Sequence, residues 1–215
     1  VIGTGGVFGP TTGYFEGLHR LADAYGFLVI ADEVITGFGR CGEMFASTRY
    51  DVRPDIITMA KGLTSGYAAL GAVAVAPRVA ERFFADTDSP MFRHGLTYSG
   101  HATACVVAEA NLDIVEREGL VARAGELEGV LARALAPLRD HALVEDVRTG
   151  SGFMAGVQLR PEVSADQVAI ACTEAGVLMR LIHNNTLHIS PPFVVTDDEV
   201  ALIATTITSA LDGLL

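Results

Sequence analysis

The spacing of apolar residues predicts helices that alternate with short strands in the first half of the chain. Residues 15–25 place their apolar side chains on one face of a helix, and Gly26 follows where a helix C-cap is expected. The apolar run 27–31, which leads into Asp32, predicts a buried strand of a parallel sheet. The same patterning predicts further strands over 55–59 and 70–76 and helices over 78–85 and 102–117.

The second half has a different order of predicted elements, with a long amphipathic helix followed by short strands. The pattern predicts helices over 119–137, 164–175 and 197 to the end, and strands over 143–148, 153–159, 177–181 and 186–190. Thr196, followed by three acidic residues, is typical of a helix N-cap. We therefore predict an α/β chain: residues 1–115 form part of a larger, mostly parallel sheet domain with helices on both faces, and residues 116–215 form a smaller α+β domain.

Composition excludes several classes of function. Asp and Glu number 26 against 15 Lys and Arg, a formal net charge of −11, so binding to nucleic acid is not expected. The longest uncharged run, 62–77, is too short and too rich in Gly, Ser and Pro to span a bilayer. Three scattered Cys without a CxxC pair predict a reducing, cytoplasmic location. His94 and His101 lack acidic or thiol neighbours at ligand spacing, so no metal site is predicted.

Lys61 is the single lysine of the chain, beside 14 arginines. Lysine, unlike arginine, can act as a neutral amine when it is desolvated. Asp32 and Lys61 each follow a predicted strand, and ligands of open α/β sheets sit beyond such strand ends. A lysine and an aspartate placed this way suit pyridoxal 5'-phosphate (PLP), whose aldehyde bonds to an amine and whose ring nitrogen pairs with an acid.

Plainer interpretations exist for several of these residues. Asp32 is also typical of a turn former, and Glu33 beside it is expected to be a surface acid. The opening GTGGVFG lacks the third glycine of a dinucleotide-binding pattern, because position 8 is Phe, and it is interpreted as a glycine-rich turn. Cys105 lies in an apolar helical stretch and is expected in the core.

Three segments carry a family resemblance: ADEVITGFGR, PDIITMAKGLTSGY and HGLTYSGHATACVVA. Together with the later IHNNTLHISPPFVVTDDE, they resemble the class III PLP-dependent aminotransferases, or ω-transaminases, over essentially the whole chain. The match is to the C-terminal half of such enzymes. The resemblance implies part of a fold type I large domain followed by a small C-terminal domain, the cofactor PLP, and a homodimer.

The resemblance also implies roles for individual residues. Lys61 matches the lysine that forms the Schiff base, and Asp32 matches the acid that holds the pyridine nitrogen protonated. Val34 matches the residue that packs on one face of the ring. Thr97 matches the threonine that reaches the cofactor phosphate of the neighbouring subunit. Arg180 lies where many ω-transaminases bind the substrate carboxylate, although Leu181 and Ile182 depart from the usual continuation and a purely structural role stays open.

The implied reaction moves an amino group from an amine or ω-amino acid to a keto acid such as pyruvate. Ile35, where acetylornithine and ornithine types carry Gln, favours the amine–pyruvate and β-alanine–pyruvate group. Two alternatives stay open: another class III chemistry, such as that of an aminomutase or a decarboxylating transaminase, or a non-catalytic remnant. Because the resemblance covers only the C-terminal half, we expect little activity from the chain alone.

Overall fold

The computed structural model describes residues 1–215, which form two compact units. The first, called here the lysine unit, comprises Thr11–Gly39 and Glu43–Val121. The second, the C-terminal unit, comprises Val1–Pro10, Arg40–Gly42 and Ala122–Leu215. The predicted α/β class is confirmed, whereas the predicted domain boundary between residues 115 and 116 stays a prediction.

The lysine unit contains a three-stranded mixed sheet in the order β1-β2-β3, with bounds Ile30–Asp32, Ile56–Met59 and Ala72–Val75. β1 and β2 are parallel, and Asp32 lies opposite Thr58. β2 and β3 are antiparallel. The helices of this unit are α1 (Tyr14–Tyr25), α2 (Ala46–Arg49), α3 (Pro77–Phe84) and α4 (Ala102–Arg117).

The first predicted helix is confirmed as α1. Gly26 ends it in the left-handed conformation, with φ of 70°, and donates its N–H to the carbonyl of Ala22. The strand predicted over 27–31 is shorter and begins at Ile30. Its expected burial is wrong, because β1 is an edge strand of this sheet and Ile30 is 60% exposed.

Cys105 is exposed on α4, so its expected place in the core is wrong. The buried residues of this helix are Ala104, Ala108 and Val115. One residue advances a helix by about 100°, and Cys105 therefore lies to the side of the stripe that Ala104 begins.

Glu33 is only 2% exposed, so its interpretation as a surface acid is also wrong. Its carboxylate accepts backbone N–H groups of Ala46 at 3.1 Å and Ser47 at 2.6 Å, and the Thr36 hydroxyl. A buried carboxylate needs such partners to offset the loss of hydration. Glu33 thus fastens the loop after β1 to the first turn of α2.

A second buried carboxylate, Asp55, precedes β2. It accepts the N–H of Val29 at 2.8 Å and pairs with Arg78. Burial alone would raise the pKa of Asp55, but the hydrogen bond from Val29 and the pairing with Arg78 outweigh it and hold the pKa below its usual value. Asp55 thereby connects the segment before β1 to the start of β2.

The C-terminal unit has an antiparallel sheet in the order β4-β5-β7-β6, with bounds Val144–Arg148, Ala155–Leu159, Thr186–Ile189 and Arg180–Ile182. Its helices are α5 (Leu120–Leu135), α6 (Ala165–Glu174) and α7 (Asp197–Asp212). One continuous core includes Leu131 of α5, Val157 of β5 and Ile207 of α7. The predicted N-cap of α7 is confirmed: Thr196 and Glu199 form a capping box. None of the helices is long and apolar enough to cross a membrane.

We predict that Glu33→Ala lowers the free energy of unfolding by about 3 kcal/mol, because two backbone donors and a hydroxyl lose a charged acceptor. Glu43→Ala is the matched control, since Glu43 is an exposed acid ten residues along the same loop. Urea unfolding measures both. A difference between the two variants below about 0.5 kcal/mol, the usual range of surface substitutions, would contradict the fastening role of Glu33.

Candidate functional site

Asp32 and Lys61 lie at the same edge of the sheet in the lysine unit. Asp32 is the last residue of β1, and Lys61 follows the end of β2 by two residues. The two strands are parallel, so their carboxyl ends point the same way. Both side chains belong to exposed residues. The structure therefore brings together, at one sheet edge, the two residues on which the sequence argument depends.

The backbone of Lys61 has a φ of 41°, in the left-handed region that lysine rarely adopts. Lys61 is the first residue of a 3-10 helix, Lys61–Leu63. Two backbone carbonyls of this helix accept hydrogen bonds from a side chain of α4. The Asn111 side chain donates to the Gly62 carbonyl at 2.9 Å and to the Leu63 carbonyl at 3.1 Å. A strained conformation persists only where its surroundings enforce it, and Asn111 supplies part of that enforcement.

Gly62 packs directly against the loop that follows Asp32. A Cβ added to Gly62 would lie 2.9 Å from the Cβ of Phe38, so only glycine allows this approach. Phe38, Leu63 and Ala108 form a small buried cluster beneath it. The loop that follows Asp32 and the turn that carries Lys61 therefore share one packed support.

The Asp32 carboxylate has one oxygen in use and one free. Oδ1 accepts the N–H of Val34 at 3.0 Å, which is the turn-forming contact that the sequence left open. Among residues 1–215, no hydrogen-bond partner is found for Oδ2. Asp32 thus combines a local structural contact with a free acceptor at the sheet edge.

The other two residues predicted to bind the cofactor have less defined surroundings. Val34 is half-buried in the loop after β1. Thr97 is exposed in the irregular segment before α4 and makes no hydrogen bond to another residue of the chain. The structure does not bring Thr97 into contact with Asp32 or Lys61. An action of Thr97 across a subunit boundary stays a prediction.

The groups at this sheet edge fit PLP. A primary amine is what its aldehyde requires, and a carboxylate with a free oxygen is what its ring nitrogen requires. Lys61 and Asp32 supply these two groups from adjacent strand ends. They are the residues that could hold the cofactor.

Sequence reasoning missed Asn111 and Phe38, which hold this edge in place. Asn111 stands in an ordinary helical pattern, and Phe38 stands among glycines in a loop. Neither position carries a sequence signal for its role, because that role arises only when α4 and the loop pack against the turn of Lys61.

Arg180 belongs to the C-terminal unit, where it opens the edge strand β6. It is exposed, and its side chain makes no hydrogen bond or ion pair with another residue of the chain. Its direct cross-strand neighbour on β7 is His188, which is 9% exposed. Sequence reasoning did not single out this histidine.

Arg40, also missed, belongs to the C-terminal unit, where backbone carbonyls rather than a carboxylate bind its guanidinium. It donates to the carbonyls of Phe153 at 2.7 Å and Pro191 at 2.9 Å. Its guanidinium lies 4.6 Å from the centre of the Phe193 ring, a cation–π contact. Burial lowers the pKa of Arg40 to about 10, which still leaves it charged at neutral pH.

Comparison with known proteins gives one consistent family. The aminotransferase class-III family model matches residues 1–211. An omega-aminotransferase of Caulobacter vibrioides is 38% identical over 217 residues, which cover 98% of this chain and 49% of that protein. A diaminobutyrate–2-oxoglutarate transaminase of Halomonas elongata is 39% identical, over 93% of this chain and 45% of that protein.

Solved structures agree. A thermostable omega transaminase variant from Pseudomonas jessenii superimposes with a TM-score of 0.92 at 33% identity, over all of this chain and 50% of that chain. A Bacillus anthracis aminotransferase gives a TM-score of 0.92 at 34% identity, over 99% of this chain and 51% of that one. The chain spans about half the length of the relatives it matches. On the family match over nearly its whole length, this chain belongs to the class-III aminotransferases.

Proposed function

We propose that the protein is a PLP-dependent transaminase that moves an amino group from an amine or ω-amino acid to a keto acid such as pyruvate. The observation that carries this proposal is the placement of the only lysine at the sheet edge beside Asp32. Membership of the class-III family supports the reaction type.

Lys61 does the proton transfers in this proposal. When bound, PLP supplies an aldehyde that bonds to a primary amine and a ring that accepts electrons from the substrate carbon. With cofactor and substrate bound, Lys61 Nζ would be the base that takes the proton from the substrate carbon and the acid that returns it to a carbon of the cofactor. An arginine could not do this, because its guanidinium stays protonated.

Asp32 and Val34 would hold the ring. Asp32 Oδ2, which lacks a partner within the chain, would accept a hydrogen bond from the protonated ring nitrogen. Val34 would pack against one face of the ring. Thr97 would bind the cofactor phosphate of a neighbouring subunit, which makes a homodimer part of the proposal. We also propose a cytoplasmic location, from the scattered free cysteines.

The substrates we propose are an amine donor and a keto acid acceptor. The relatives named above are an omega-aminotransferase and a diaminobutyrate transaminase. Ile35, in place of Gln, favours the amine–pyruvate and β-alanine–pyruvate group. Arg180 would bind the carboxylate of the acceptor, and its lack of an ion-pair partner within the chain supports this role over a structural one.

We predict that PLP followed by borohydride leaves a phosphopyridoxyl adduct on Lys61, detected by mass spectrometry. Adding β-alanine before reduction should abolish the adduct, and adding pyruvate afterwards should restore it, because amino transfer converts the cofactor to its amine form and back. Lys61→Arg is the control that must give no adduct at this position.

The experiment is run on the chain alone and with the N-terminal half of a class-III enzyme supplied. An adduct only in the second sample would show that the cofactor site needs both halves. Absence of an adduct on Lys61 in both samples would overturn the proposal. If the adduct forms but neither β-alanine nor another amine donor removes it, the result would instead favour a different class III chemistry for this protein.

Asn111 gives a second prediction. Asn111→Leu removes both hydrogen bonds that hold the turn of Lys61, and we expect the dissociation constant for PLP to rise about tenfold, as for loss of one to two net hydrogen bonds. Asp113→Asn, an exposed change on the same helix, is the control. Fluorescence titration with PLP measures both. Equal affinities in the two variants would show that Asn111 does not position Lys61.

A further inference from the structure

A cleft of about 560 Å³ opens in the C-terminal unit, beside the edge strand β6. Its wall includes Arg180 of β6, His188 of β7, the prolines that follow β7, and Leu202 of α7. The volume lies within the range of small-molecule sites. Most of the wall is apolar, and Arg180 and His188 are among its few polar groups.

Arg180 and His188 are direct partners in the antiparallel pairing of β6 with β7. Side chains of directly opposed residues lie on the same face of a sheet, with Cβ atoms about 5 Å apart. The two side chains are therefore positioned to contact one small ligand. Arg180 is free to turn toward it, because it has no other partner in the chain.

The Nε2 atom of His188 is buried and has no hydrogen-bond partner. Buried polar groups in native proteins are nearly always paired, so an unpaired one indicates a missing partner. Nδ1 lies 3.5 Å from the Ser190 hydroxyl, the only contact that orients the ring. A hydroxyl that donates to Nδ1 leaves the proton on Nε2, which is then a hydrogen-bond donor. Because this contact is long, it restrains the ring weakly, and rotation of the ring is what would present the enclosed Nε2 to a ligand.

The charges around His188 are positive. Arg180 of β6 and Arg40 of the same unit both repel a positive charge on the ring. Burial is the largest cause that lowers the pKa of His188, and these two cations lower it further. Glu199 of α7 also lines the cleft, but its carboxylate is held in the capping box by the Thr196 N–H at 2.8 Å. In a chain with a net charge of −11, this local excess of positive charge favours an anion.

We propose that Arg180 and His188 together form a carboxylate subsite, in which Nε2 of His188 donates the second hydrogen bond to the ligand held by Arg180. His188 is then a specificity-determining residue for the keto acid acceptor, beyond Arg180 itself. The identity of the ligand as a keto acid rests on the proposed function. The existence of an anion subsite rests on the cleft alone.

The test is an NMR titration of the histidine side chains of this chain with pyruvate. A bound carboxylate stabilises imidazolium, so pyruvate should raise the pKa of His188 by about one unit. Acetone, which lacks the carboxylate, should leave it unchanged. His183, exposed in the turn between the two strands, is the internal control and should not respond. A His188 pKa that is the same with and without pyruvate would overturn the proposal.

Variants separate the two residues. His188→Leu should weaken pyruvate binding about tenfold, whereas His188→Gln, whose amide nitrogen can occupy the position of Nε2, should retain most of the affinity. Arg180→Ala should lose binding altogether. If His188→Leu binds pyruvate as tightly as the parent while Arg180→Ala does not, Arg180 acts alone and the proposal is wrong.

Stability provides an independent readout. His188→Leu removes a buried polar atom without a partner, so this variant should be at least as stable as the parent. A marked loss of stability would show that Nε2 is paired in the folded protein, which contradicts the proposal.

Inorganic phosphate is the third ligand: tighter binding of phosphate than of pyruvate would show a general oxyanion site and overturn the assignment to a carboxylate.

Failure of this inference is distinct from failure of the proposed function. If the Lys61 adduct responds to β-alanine and pyruvate but the pKa of His188 does not change, the transaminase proposal stands and the subsite proposal is wrong. If pyruvate raises the pKa of His188 but no adduct forms on Lys61, the anion subsite stands and the transaminase proposal is wrong.

Discussion

The parallel pairing of β1 with β2 is the constraint on which the candidate site depends. It aligns Asp32 with Thr58 and directs the ends of both strands to one sheet edge. The acid and the amine are far apart in sequence, and no local structure could bring them together. Only three residue pairs make this register, so the site relies on packing elsewhere to keep the strands in place.

That packing is supplied by buried and half-buried groups that take no part in the proposed chemistry. Glu33 fastens the loop after β1, Asp55 connects the segment before β1 to β2, and Asn111 holds the turn of Lys61. Asp32 and Lys61 are exposed, whereas Glu33 and Asp55 are buried and hydrogen-bonded and Asn111 is half-buried. A site built in this way can keep Asp32 Oδ2 and the Lys61 amine free of protein partners and still hold their backbones in one geometry.

The sequence predicts this fold well where a pattern is local. The helical stripe of 15–25, the cap at Thr196 and the placement of Asp32 and Lys61 after strands all follow from spacing. Burial is less predictable, because it depends on which elements meet: Ile30 and Cys105 are apolar yet exposed, and Glu33 is charged yet buried. The role proposed for His188 has no sequence signal for the same reason, since its neighbour Arg180 belongs to another strand.

The proposed pairing of Asp32 with the ring of PLP is tested most directly by ¹⁵N NMR of cofactor labelled at the ring nitrogen and bound through Lys61. A neighbouring carboxylate favours the protonated nitrogen by about 4 kcal/mol at an effective dielectric near 20, and would so raise the nitrogen pKa by about three units. We predict a protonated nitrogen at neutral pH in the parent protein and an unprotonated one in Asp32→Asn. The same ¹⁵N shift in both proteins would contradict the role assigned to Asp32.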